Sequence, residues 1–336
     1  DWSVSSVASS SSGYRWAVVA VTTCVASAPA QVWLFPRGQA DGNSGCSSIS
    51  ADGLKALAYG YRAAPSFRVY SSIFEPPNGR ADISLTFSSP VDVRGLGLSG
   101  DGRTAVGAGY YVNELGPAVP VRMFDTGGVQ VMAIPAQHDR AAALATDFTG
   151  QRSVGFAQRE AGNHDATAVW WSASGEVNQI PLPFTSFYSK AWAISGDGRT
   201  IAGSAENLFG GVDAFVWREG VGTIILPSAT PQYPHLANIA FGISTDGRYI
   251  AGRTSDPIRA RGHFALWTDG VLELIPNPTN GDYFSAYAND VNADGTVMVG
   301  TGYIQDYVHR ALIWTRDTGN MQLSEYLALR GVPIPP

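Results

Sequence analysis

One pattern returns along this chain at nearly constant spacing: small and apolar residues, then Ser-x-Asp-Gly, then a β-type run that ends on glycine. Its clearest copy is Ala191-Trp-Ala-Ile-Ser-Gly-Asp-Gly-Arg-Thr-Ile-Ala-Gly203. Asp197 and Gly198 suit the positive φ of a tight hairpin, and Thr200, Ile201 and Ala202 resume residues that favour extended backbone. The stretch reads as strand, turn, strand. Plain copies end their turns at Gly53, Gly102, Gly247 and Gly295, and worn ones at Gly13 and Gly150. Successive turn glycines are 40, 49, 48, 48, 49 and 48 residues apart, which makes seven units.

Two further marks keep the same phase. An aromatic residue ends a short β-type run at Trp33, Phe74, Phe124, Trp171, Trp217, Trp267 and Trp314. A glycine stands five residues past the turn at Gly107, Gly155, Gly203, Gly252 and Gly300. The clearest unit divides into strands at 190–195, 199–205, 213–218 and 223–226, with a loop at 206–212. Four short antiparallel strands in about 48 residues match a propeller blade, whereas solenoid rungs are shorter or helical. The expectation is an all-β, seven-bladed β-propeller forming one domain over 1–336. Its blades fall near 1–40, 41–90, 91–137, 138–185, 186–233, 234–280 and 281–336. Each blade is complete in its own segment, so the ring closes without strand exchange. A helical period occurs only over 323–330, after the last unit.

Composition narrows the function classes. Charged residues make up 15% of the chain and its formal net charge is -6, which argues against a nucleic-acid partner that would need a basic stripe. No apolar run approaches the roughly 18–20 residues of a membrane-spanning helix, so the chain is not expected to span a membrane. Cys24 and Cys46, the only cysteines, flank the first unit's loops and are expected to form a disulfide, placing the chain in an oxidising compartment. The start at Asp1, without a signal peptide, fits a processed secreted chain.

The motif Ile-Ser-x-Asp-Gly-Arg-x-Ile-x-Gly, followed by Asp213-Ala-Phe-Val-Trp217 or Gly262-His-Phe-Ala-Leu-Trp267, resembles the extracellular HAF repeat of bacterial secreted and surface proteins. Tyr326-Leu-Ala-Leu-Arg-Gly-Val332 is similar to the segment that follows those repeats. The likeness is strong from Val93 onward and weak before Ala40. It implies an exported, propeller-like protein located outside the cell, on its surface or in the periplasm. It assigns no catalytic residue, because the shared positions are those that build the blade.

Chemistry is harder to find. Asp290-Val-Asn-Ala-Asp-Gly295 opens like an EF-hand loop, but Thr301 occupies the position of the bidentate glutamate, so the stretch reads as a repeat hairpin. The recurrent Ser99, Ser195 and Ser244 read as turn-bonding residues, and no Gly-x-Ser-x-Gly elbow exists. No compact ligand spacing calls for a metal, and no motif calls for a cofactor. The in-phase tryptophans read as packing between blades. Function is therefore expected on the face carrying the long loops, which is rich in His, Tyr and Arg.

The ligand-binding candidates on that face are Arg62, Tyr110, Arg159, His164, Lys190, Tyr233, Arg253, Tyr283 and Tyr303. Arginine can pair with carboxylates and tyrosine offers a ring and a hydroxyl, which suits a glycan or another cell-envelope ligand. The first expectation is a binding or surface-interaction module for such a ligand. A carbohydrate-active enzyme is the alternative, a polysaccharide lyase before a glycoside hydrolase, with His138, Tyr188, His235 and Arg140 as catalytic candidates. A structural or assembly subunit is the third possibility.

Overall fold

The computed structural model describes residues 16–22, 31–36, 44–62, 68–74, 80–81, 91–111, 118–159, 165–256, 261–279, 283, 285–304 and 308–332. Among these, six four-stranded antiparallel sheets follow one another, each built from four consecutive strands in simple up-and-down order. Unit five shows the pattern, with strands Ser189–Ile194, Thr200–Glu206, Val212–Arg218 and Gly222–Ile225. These bounds lie within one residue of those read from the sequence.

A seventh, two-stranded sheet precedes them, pairing Trp16–Thr22 with Gln31–Pro36. It holds the second and third strands expected of unit one, including Trp33. Pro36 ends the later of these strands, and residues 37–43 lie outside the described residues. The helix Leu323–Leu329 closes the described chain where the helical period predicts it.

The turns explain why the repeat is so regular. Six turn glycines adopt φ between +68° and +75°, a region that side chains disfavour. In unit five Ser195 Oγ donates to Asp197 at 2.6 Å and accepts from the Thr200 N–H at 3.0 Å, while Asp197 accepts from the Arg199 N–H at 2.9 Å. Ser99 and Ser244 repeat the arrangement. In the worn copy of unit four, Asp147 fills both roles, accepting from the N–H groups of Gln151 and Arg152 at 2.9 Å. Turn tips are also bonded to one another: the N–H groups of Ala51, Phe148 and Gly196 donate to the carbonyls of Gly100, Gly196 and Thr245 in the following units.

The core lies between sheets. Each of five buried clusters draws on two consecutive units, as where Ala202 and Val216 of unit five meet Ile250 and Trp267 of unit six. Phe215, Phe264 and Trp267 are wholly buried, each contributing about 1.5–3 kcal/mol or more by removal of apolar surface from water. The in-phase tryptophans whose side chains are described, Trp171, Trp217, Trp267 and Trp314, pack between sheets as expected. The indole N–H groups of Trp171 and Trp267 donate to the carbonyls of Ala133 and Pro227 in the preceding unit, at 2.7 and 2.8 Å. Trp217 stacks on Trp170 of unit four with centroids 6.4 Å apart. On unit seven, Val299 and Ile313 are covered by Leu323 and Tyr326 of the terminal helix.

Candidate functional site

The first strands of units two to seven surround one cavity of about 420 Å³, which reaches down to the turn tips. Every one of these strands carries a bulge at the same register, and the extra residue is Ser47, Leu96, Leu144, Trp192, Phe241 or Asn289. A bulged residue has no ladder partner and its side chain is re-aimed. All six line the cavity, and all six are half-buried.

The glycine five residues past each turn belongs to this device. Gly107, Gly155, Gly203, Gly252 and Gly300 pair with the residue just before the bulge. A Cβ at any of them would collide with a carbonyl oxygen of the first strand. These glycines have ordinary strand φ values, so it is close backbone approach that selects them.

The cavity wall has two sides. Leu96, Leu144, Trp192 and Phe241 form an apolar arc across units three to six, while Asn289 and Asp290 of unit seven and Ser47 and Ser48 of unit two form a polar one. Phe148, 40% exposed, stands at the turn end, and Arg94 enters from unit three. From the apolar arc a run of rings leads outward: Trp192 to Phe241 at 5.6 Å, Phe241 to Tyr287 at 5.5 Å, and Tyr287 to Tyr303 at 5.6 Å with their hydroxyls 2.8 Å apart. Burial, and then the bond to Tyr303, push the Tyr287 hydroxyl far above the ordinary tyrosine range, so it stays protonated. On the other side of Trp192, the Lys190 ammonium lies 4.2 Å from the Phe156 centroid, 5.0 Å from Tyr188 and 5.3 Å from Trp192.

The candidates read from the sequence disperse. His138 bonds Thr167 at 3.1 Å through Nε2, and burial pulls its pKa below the ordinary histidine value. Arg140 stands 3.8 Å from Asp139. Arg159 donates to the Gln137 carbonyl and faces Asp165 at 3.3 Å. His235 packs edge-on to Tyr233, 42% exposed, with centroids 6.1 Å apart. Tyr188 faces Lys190. His138, Tyr188 and His235 sit in three successive connections, and their hydrogen-bond and ring contacts are with other residues rather than with one another.

Tyr283, expected on the rim, is 2% exposed and belongs to the core between units six and seven. Tyr303 and Arg253 adjoin the ring run. Arg62 and Tyr110 lie at strand ends whose side chains fall outside the description, as does the Cys46 side chain; His164 and Cys24 lie outside the described residues, so the expected disulfide does too. Trp192, Phe241 and Tyr287 were missed. A signal existed, since in units three to seven the bulged residue lies eleven positions before the strand glycine, as Trp192 does before Gly203.

No protein-family model matches the chain, and no curated protein matches it in sequence. Solved structures do. The chain is similar to a puromycin hydrolase at TM-score 0.57 and 12% identity, covering 91% of this chain and 51% of that one. The β-propeller domain of the trilobed protease from Pyrococcus furiosus, described as having an open velcro topology, gives 0.53 at 12% identity and 80% coverage of both chains. TolB from Acinetobacter baumannii gives 0.45 at 16% identity, covering 67% of this chain and 52% of that one. The chain therefore has a β-propeller fold, and it spans about half the length of the TolB and puromycin hydrolase chains.

These likenesses correct the functional expectation. The structures of like fold are a protease's propeller and a puromycin hydrolase, not glycan-binding or carbohydrate-active modules. Among the described residues no group of three or more His, Cys, Asp or Glu could hold a metal, and no helix is long and apolar enough to cross a membrane.

Proposed function

We propose that the chain is a seven-bladed propeller that recognises a peptide segment in its axial cavity without cleaving it. The observation that carries this is the two-sided wall made by the bulged residues. Trp192, Phe241, Leu96 and Leu144 accept an apolar side chain, and Asn289, Asp290, Ser47 and Ser48 face it with groups that suit main-chain amides. A cavity of about 420 Å³ lies within the roughly 300–1,000 Å³ of ligand pockets, which are likewise apolar with a few placed polar groups. The names of the like-folded proteins, a protease and a puromycin hydrolase, favour a peptide-like ligand.

The seventh blade rests on the two-stranded sheet, which carries unit one's aromatic mark at Trp33. Closure without strand exchange is supported by the last sheet, complete from Ser285–Val291 to Gly319–Gln322, and by the open velcro of the similar propeller domain. Membership of the HAF-repeat family, and with it export, is part of the same proposal and rests on the turn motif.

The test is tryptophan emission during titration with a random tetrapeptide pool. Binding should shift the emission, and Trp192→Ala or Phe241→Ala should weaken it at least tenfold. A pool that leaves the emission unchanged, or binding indifferent to both substitutions, would overturn the proposal.

A further inference from the structure

Two arginines lie between neighbouring sheets, Arg122 fully buried and Arg253 half-buried, and they differ in their partners. Arg122 is 1% exposed and its guanidinium donates to Gln130 at 3.1 Å, the Ala173 carbonyl at 2.9 Å, Ser153 at 2.9 Å and the Ser172 carbonyl at 3.1 Å. Arg253, between units six and seven, forms no ion pair and donates no hydrogen bond to any described residue; its Nε is buried without a partner. Burial pulls its pKa down, an effect that the neighbouring Tyr303 and Tyr287 oppose.

A second polar atom shares the position. Ser285 is 8% exposed and its Oγ also lacks a partner. A Cβ on Gly262 would collide with both the Arg253 Nε and the Ser285 Oγ, so it is the absence of a side chain there that lets the two groups converge. A guanidinium whose Nε is shut off from water without an acceptor is left short of a partner, and its fork is shaped to take a carboxylate. The ring run from Phe241 through Tyr287 to Tyr303 leads from the cavity wall to this place.

We propose that Arg253 and Ser285 form a carboxylate site, which receives an acidic group of the peptide whose apolar side chain lies on Phe241 and Trp192. This rests on the peptide reading above. The carboxylate comes from a C-terminus or from an Asp or Glu side chain. Arg253 supplies the charge and Ser285 the second donor, and Gly262 lets the two approach one another.

The minimal probe is acetate, followed by melting temperature against chloride at equal ionic strength. Acetate should raise the midpoint of the unmodified protein by several degrees and leave Arg253→Met unmoved, while Arg253→Met alone melts higher than the parent because an uncompensated charge is gone. Ser285→Ala, a smaller change, should weaken the acetate response severalfold. An acetate effect equal to that of chloride overturns the site.

The second arm uses tetrapeptide pools with free or amidated C-termini, and amidated pools with or without Asp and Glu. A tenfold preference for free C-termini identifies that source, and a preference for Asp and Glu identifies the other. Peptides that bind alike in all pools, and alike to Arg253→Met, overturn this inference and leave the peptide reading standing. If no pool binds while acetate still acts through Arg253, the peptide reading falls and the carboxylate site remains.

Discussion

Adding one methyl group at Gly252 tests whether the bulge dictates the glycine. The Cβ of Gly252→Ala would stand 3.0 Å from Ala240 Cα and closer still to the Ile239 carbonyl oxygen. Relaxed carbon contacts need about 3.5–4.0 Å, so the first strand must move by about 1 Å. Such a shift overpacks a full core, at about 1–3 kcal/mol, and weakens the neighbouring ladder bonds between Ile239 and Arg253, at about 1 kcal/mol each. The sum is about 3 kcal/mol. With a urea slope of about 3 kcal/mol per molar, the midpoint followed by tryptophan emission should fall by about 1 M. Gly128→Ala is the control, because its nearest neighbour, a Phe124 ring carbon, would lie at an ordinary 3.5 Å. If both variants unfold within about 0.3 M urea of the parent, close approach at the bulge is not what selects the glycine.

Three further outcomes follow from the turns and the inter-sheet tryptophans. Ser195→Ala should cost about 1–2 kcal/mol in urea unfolding, because the buried Thr200 N–H loses its acceptor, whereas Ser195→Asn should recover most of it, as Asn292 accepts from the N–H groups of Thr296 and Val297. Burial acts most strongly on Asp197 and raises its pKa, but hydrogen bonds from Ser195 and the Arg199 N–H outweigh it and hold the carboxyl below its usual value; bonds from Thr296 do the same at Asp294. A depressed folded-state pKa stabilises above the unfolded value near 4 and is lost as pH falls through the folded one, so the urea midpoint should drop below about pH 4, less steeply in Ser195→Ala. Trp267→Phe removes the donor to Pro227 and should cost about 1–3 kcal/mol, more than Trp217→Phe at a half-buried position, measured by thermal unfolding.

What the chain discloses before folding is whatever recurs in type. Turn glycines, the serine before them and the closing aromatic residue each answer the same backbone demand in every unit, so Ser195, Gly198 and Trp267 could be placed correctly from spacing. The cavity wall is the opposite case. Its residues share a register and differ in kind, from Ser47 to Trp192 to Asn289, so no letter repeats. The long loops drew attention to His138, Tyr188 and His235, but loop length says nothing about convergence, and the contacts of those side chains are with Thr167, Lys190 and Tyr233. Tyr283 illustrates another limit: an aromatic residue out of phase looked exposed, yet it fills the space between two sheets beside Gly302. Arg253 was a candidate from its place in the chain; its lack of partners is visible only in three dimensions.

The recurring bulge has an evolutionary corollary. Six side chains stand outside the pairing pattern and outside the layers that hold neighbouring sheets together, so each can be exchanged with little loss of stability. A lineage of such discs could acquire new tastes through half a dozen independent substitutions, while the scaffold that presents them stays under strict selection.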